Sequence, residues 1–92
     1  MKFVMTYYIP NESWDKAVSR FLETQAPAPE GVKLLERWHA AAGRNGFLLL
    51  ESEDVAAIYR FAAEWNDVCD LSVTPVIDDE GAGIVLSSMR KS

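Results

Sequence analysis

The chain has very little that could hold a metal ion or form a covalent cross-link. Its 92 residues include one cysteine, Cys69, and one histidine, His39. A lone cysteine cannot form a disulfide within the chain, and it is typical of proteins from a reducing compartment. One histidine and one cysteine on separate predicted strands do not make a ligand cluster. We therefore expect no metal site and no cofactor.

Positive charge is also scarce, with 9 Lys and Arg against 14 Asp and Glu, which gives a formal net charge of −5. An acidic chain repels phosphate backbones and anionic lipid surfaces, so we expect no nucleic acid and no membrane as partners. No apolar run approaches the roughly 20 residues that a membrane-spanning helix needs. The sequence therefore predicts a soluble cytoplasmic protein, and its length predicts one domain over residues 1–92.

The hydrophobic periodicity changes several times along the chain. Strand-like segments occupy residues 3–9, 32–41, 47–51 and 71–77, with turn residues at 43–46, whereas residues 14–22, 55–65 and 79–89 follow a helical period. In the last helix, Ala82, Val85, Leu86 and Met89 are predicted to point inward. The order β-α-β-β-α-β plus a terminal helix predicts an α+β, ferredoxin-like fold with a four-stranded antiparallel sheet.

The face of the sheet that the helices leave uncovered is expected to be an interface. Residues 3–8 are apolar or aromatic on both strand faces apart from Thr6, and residues 47–50 read Phe-Leu-Leu-Leu. A solvated sheet face should show polar residues at every second position. We therefore expect a homodimer in which two copies pack through this sheet face.

His39 lies on the second predicted strand, where side chains alternate between two faces. Leu35, Arg37 and His39 share one face and Trp38 lies on the other, so Trp38 should face the helices if the first three line a dimer cavity. There Arg37 would bind an anionic group, and His39, the candidate catalytic base, would transfer a proton.

The first strand completes the predicted ligand site, because Thr6 and Tyr8 share a face and a phenol can orient a substrate oxygen. The predicted ligand-binding residues are Thr6, Tyr8, Leu35, Arg37 and His39. A purely structural interpretation stays open, in which Arg37 pairs with a carboxylate and His39 satisfies a backbone group.

Several segments resemble a family of small prokaryotic proteins known as a domain of unknown function. They are residues 1–6, 29–35, 37–40 and 73–76, and the run GVKLLERWH at 31–39 is the most specific part. The resemblance implies a dimeric α/β barrel, in which two ferredoxin-like sheets face each other around a cavity. Haem-degrading members of that superfamily keep their histidine ligand on a helical segment, which His39 does not match.

Three functions remain open at this point. The first is binding of a small, partly apolar anion in the dimer cavity. The second is a cofactor-free monooxygenase or isomerase that uses His39 as its base. The third is a dimerisation module without a ligand.

Overall fold

A computed structural model describes residues 1–90 of the chain. The strands form one antiparallel sheet in the order β2-β3-β1-β4. This arrangement confirms the predicted ferredoxin-like fold with an additional C-terminal helix. The strands are β1 (Lys2–Tyr8), β2 (Lys33–His39), β3 (Asn45–Glu51) and β4 (Asp70–Val76), and the helices are α1 (Trp14–Thr24), α2 (Val55–Trp65) and α3 (Asp79–Arg90).

Local chemistry sets where the two packed helices begin and end. The side chain of Asp54 caps α2 by accepting a hydrogen bond of 2.9 Å from the Ala56 backbone N–H, which satisfies one free donor of the first turn. Helix α1 follows a short 3₁₀ turn at Asn11–Ser13. Its C-cap is Gln25, which has a left-handed φ of 63°.

Helices α1 and α2 cover one face of the sheet. The buried cluster on that face consists of Phe3, Met5, Leu48, Leu50, Ile58 and Phe61. Burying such side chains is worth about 1.5–3 kcal/mol each, so this cluster stabilises the packing of α2 on the sheet. The opposite face is open, and it carries three large aromatic side chains that are 47–49% exposed: Tyr8, Trp38 and Phe47.

Strand β2 contains an irregularity that the sequence pattern does not reveal. Leu34 pairs with Leu50 and Arg37 pairs with Leu48, and the register shifts between Leu34 and Glu36. Leu35 is therefore the extra residue of a β-bulge. The bulge directs both Leu34 and Arg37 to the face covered by the helices, although their spacing of three would separate them in a regular strand.

The β2–β3 hairpin also differs from the prediction. Residues 43–46 were expected to form the turn, but β3 begins at Asn45, so Gly46 belongs to the strand. Its backbone pairs with Tyr7 on one side and with His39 on the other. The turn needs a glycine at Gly43, where φ is 94°.

Helix α3 differs from the prediction that its apolar residues point inward. No residue of α3 is buried, and Val85 and Leu86 are 52% and 60% exposed. The helix extends away from the sheet, which gives the described residues a longest dimension of 55 Å. Among residues 1–90, no helix is both long enough and apolar enough to cross a membrane.

Candidate functional site

A cavity of about 260 Å³ lies between the sheet and helices α1 and α2. A cavity of about 150 Å³ can hold a benzene ring, so this volume suits a molecule of one or two rings. The lining residues exposed to solvent are Leu22 and His39, which mark its opening. The principal lining residues are Met5, Tyr7, Trp14, Ala17, Val18, Phe21, Leu22, Arg37, His39, Leu48, Phe61, Trp65, Cys69 and Leu71.

The two sides of the cavity differ in chemistry. The helices contribute only apolar and aromatic side chains, because α1 and α2 direct their amphipathic faces toward the sheet. The hydroxyl, guanidinium and imidazole groups all come from the sheet, from Tyr7 on β1 and from Arg37 and His39 on β2. A bound molecule would therefore have its polar end against the strands and its apolar body against the helices.

Arg37 joins the sheet to the end of α1. Its guanidinium donates hydrogen bonds of 3.0 Å to the Gln25 carbonyl and 2.8 Å to the Ala26 carbonyl. It also lies 5.2 Å from the centre of the Phe21 ring, within cation–π distance. These two bonds use two of the five guanidinium donors, so three others could contact a ligand. Burial lowers the pKa of Arg37, and the neighbouring Tyr7 partly opposes that effect.

Tyr7 and His39 form a hydrogen-bonded pair across β3, which lies between β1 and β2. The Tyr7 Oη atom lies 2.5 Å from His39 Nδ1, and the two ring centres are 5.9 Å apart. Phe21 of α1 packs edge-on against His39 at 5.5 Å, which fixes the plane of the imidazole. The result is a titratable pair in which Tyr7 is half-buried and His39 is exposed.

The environment of Tyr7 keeps its phenol protonated. Burial raises the pKa of Tyr7, Cys69 raises it further, and Arg37 acts in the opposite direction. Burial also raises the pKa of the Cys69 thiol, as do Asp67 and Asp70, whereas Arg20 lowers it. A neutral phenol keeps its O–H donor, so in the imidazole tautomer that carries its proton on Nε2 the Tyr7 hydroxyl donates this hydrogen bond to Nδ1 of His39.

The five predicted ligand-binding residues do not lie together. Arg37 and His39 line the cavity beneath the helices, whereas Thr6 and Tyr8 line a shallow depression on the open face. Leu35 occupies the bulge and is outside the cavity lining. The physical reason is that Thr6 and Tyr8 alternate with the cavity residues along β1, so they point to the other side.

Trp38 was predicted to face the helices if Arg37 and His39 lined a dimer cavity. Arg37 and His39 do line a cavity, but the helices cover that cavity, so Trp38 lies on the open face and not beneath them. There its ring packs 5.8 Å from the Phe47 ring. Sequence reasoning also missed Tyr7 as a site residue. The available signal was Gly46, because glycine within a strand often marks a close approach by another group.

Within residues 1–90, no group of three or more His, Cys, Asp or Glu side chains is close enough to hold a metal ion. Asp67, which follows α2, is bound by Arg20 through hydrogen bonds of 2.9 and 2.7 Å. Arg20 also stacks 5.2 Å from the Trp65 ring. This ion pair fastens α1 to the end of α2.

A solved structure with a similar backbone supports the fold. SCO4226 from Streptomyces coelicolor A3(2) matches with a TM-score of 0.51 and 16% identity over 86% of this chain and 99% of its own. An uncharacterized NIPSNAP domain protein from Burkholderia xenovorans has a TM-score of 0.47 and 13% identity over 86% and 97%. At such identities the similarity concerns the fold alone.

No curated protein matches the sequence. A protein-family model does match, and it covers residues 1–90 under the description "Domain of unknown function (DUF3303)". The chain therefore belongs to the DUF3303 family.

Proposed function

We propose that this protein binds a small, flat, mostly apolar molecule with one acidic group, in the cavity between the helices and the sheet. The observation that carries the proposal is the cavity's division into an aromatic helical side and a strand side with Arg37, His39 and Tyr7. Aromatic side chains favour stacked or edge-on contact with planar rings. The guanidinium gives an anionic or ionisable group a counter-charge in a poorly hydrated place.

Relative to the prediction from sequence, the proposed site keeps Arg37 and His39, replaces Thr6 and Tyr8 with Tyr7, and leaves out Leu35. It also lies within one chain. The binding proposal therefore does not depend on whether the protein dimerises.

A thermal-shift experiment with a blocked cavity tests the proposal. Val18 lines the cavity from α1, so Val18→Phe should fill part of it. Val55 is 61% exposed on α2, so Val55→Phe is a matched control. At ten times Kd, a small aromatic acid should stabilise the wild type by about 1.4 kcal/mol, or roughly 6–11 °C in Tm for a domain of this size.

The same shift is expected for Val55→Phe, and little or no shift for Val18→Phe. The probes should include benzoate-sized carboxylates, phenols and a neutral ring. Equal shifts in wild type and Val18→Phe would mean that the molecules bind elsewhere and would contradict the proposal.

We also propose that two copies pair through the open face of the sheet. Tyr8, Trp38 and Phe47 support this, because three half-exposed aromatic side chains on one face are unusual for a monomer's surface. Sedimentation at micromolar concentration should give the mass of a dimer for wild type and of a monomer for Trp38→Glu. A monomeric wild type would refute the pairing. A dimer that binds no probe would instead favour the dimerisation module.

A further inference from the structure

The contact between Tyr7 and His39 depends on the absence of a side chain between them. In the order β2-β3-β1, Gly46 is paired with both residues and separates their strands. A Cβ atom on Gly46 would lie 2.6 Å from Tyr7 Cε2 and 2.8 Å from Tyr7 Oη, and it would also collide with the Trp38 carbonyl oxygen. Tyr7 therefore lies across β3 in the space that any other residue at position 46 would fill.

This arrangement makes a route for a proton from the cavity to solvent. Tyr7 Oη is at the cavity wall and hydrogen-bonds to Nδ1 of His39, to which it donates when the imidazole carries its proton on Nε2. A neutral imidazole that accepts through Nδ1 carries its own proton on Nε2. His39 is exposed at the cavity opening, so water can reach its ring. The phenol and the imidazole thus connect a poorly hydrated site to bulk solvent.

We propose that Tyr7 and His39 act as a proton relay that ionises a weakly acidic hydroxyl group, a phenol or an enol, on a molecule held in the cavity. The inference rests on the binding function proposed above and specifies the class of ligand. Tyr7 touches the ligand, His39 accepts the proton, and Gly46 is a positioning residue. A carboxylic acid arrives already ionised near neutral pH and needs no such relay.

The proton transfer balances without any further reactant. The ligand's O–H bond breaks and its proton goes to Tyr7 Oη, while the original Tyr7 proton moves to Nδ1 of His39. The products are the ligand oxyanion, a neutral Tyr7 that donates to it, and an imidazolium. The imidazolium keeps both protons while the oxyanion is bound, and its exposed ring exchanges protons with water. No atom is oxidised or reduced.

The surrounding charges favour the oxyanion. Arg37 is the cationic side chain in the cavity lining, and its electrostatic interaction with Tyr7 favours negative charge at that position. Cys69, from the segment before β4, is the remaining titratable group that lines the cavity, and its raised pKa keeps it a neutral thiol. The lining residues of α1 and α2 carry no titratable group.

The test uses m-nitrophenol, whose ionised form absorbs visible light, and nitrobenzene, a neutral ring of nearly the same shape. The solution is kept at a pH where free m-nitrophenol is mostly protonated and an ordinary imidazole is mostly neutral. His39 is the only histidine, so its imidazole nitrogen signals in an NMR spectrum need no assignment. Variants are Tyr7→Phe, which keeps the ring, and His39→Gln, which can accept a hydrogen bond but not a proton. Tyr59→Phe, at a position that is 76% exposed on α2, is the control.

Wild type and Tyr59→Phe should bind m-nitrophenol as its visible phenolate while His39 gains its second proton. In Tyr7→Phe and His39→Gln, nitrobenzene should still bind, but the ratio of ionised to neutral m-nitrophenol should fall at least about tenfold. Tyr7→Phe removes a hydrogen bond to a charged group, and His39→Gln removes the group that accepts the proton. An undiminished phenolate signal in both variants, or no signal in a wild type that binds nitrobenzene, would overturn the relay alone. Binding of neither probe would overturn the cavity proposal and the relay with it.

Discussion

Arg37 should contribute measurably to stability even without a ligand, because it links β2 to the end of α1. Arg37→Met keeps much of the side chain's apolar stem beside Phe21 but removes two hydrogen bonds, of 2.8 and 3.0 Å, from a charged donor. Such bonds are worth about 1.5–3 kcal/mol each, and a cation–π contact adds roughly 0.5–1 kcal/mol. Because the Gln25 carbonyl bond is exposed to water, it contributes less than this range, and we place the total loss below the simple sum, at about 2–4 kcal/mol.

Urea unfolding followed by tryptophan fluorescence measures this loss. Arg60 is exposed on α2, so Arg60→Met is a control for removing one positive charge from the surface. It should change the free energy of unfolding by no more than about 0.5 kcal/mol. If Arg37→Met were as stable as Arg60→Met, the anchoring role assigned to Arg37 would be wrong, and its guanidinium would be free to serve a ligand alone.

Two further perturbations test the geometry around the site. Gly46→Ala should lower stability by about 1–3 kcal/mol through overpacking against Tyr7, whereas Gly83→Ala, where a Cβ meets nothing within 4 Å, should be neutral or stabilising by up to about 1 kcal/mol. Equal effects in urea unfolding would contradict the close approach over Gly46. The Arg20 guanidinium holds the pKa of Asp67 well below its usual range, so this pair stabilises the fold above about pH 4, and the stabilisation is lost as the pH falls. Tm should therefore decline more steeply below that pH in wild type than in Asp67→Asn, and identical Tm profiles would show that the ion pair does not contribute.

The order of the strands and helices could be predicted from the sequence because each segment is long enough to show its hydrophobic period clearly. The alternation in residues 3–9 and the helical spacing of residues 14–22 both appear in the structure as β1 and α1. The choice of sheet face could not be read in the same way. Both faces of β1 are largely apolar, so the period of two does not say whether the face with Tyr7 or the face with Tyr8 meets the helices.

The site itself depends on contacts that a local pattern cannot express. The bulge at Leu35 changes which β2 residues share a face, and nothing in the run 34–39 marks it. The Tyr7–His39 bond joins residues that are 32 positions apart, and it forms only because β3 places Gly46 between them. The prediction that Arg37 and His39 share one face is correct, because both residues follow the bulge and alternate as in a regular strand. The prediction that the apolar residues of α3 point inward was wrong. Amphipathic spacing shows that a helix has an apolar side, but it does not show which surface covers that side.

The most direct test of the central claim is where a small ring binds. Nuclear Overhauser effects between nitrobenzene and the protein's methyl groups report contacts of a few ångströms and do not require the relay. We predict contacts with the methyl groups of Val18 and Leu48, which line the cavity beneath the helices. Contacts with Val4 and Leu49, which pair on the open face of the sheet, would place the ligand on the other side and contradict the account.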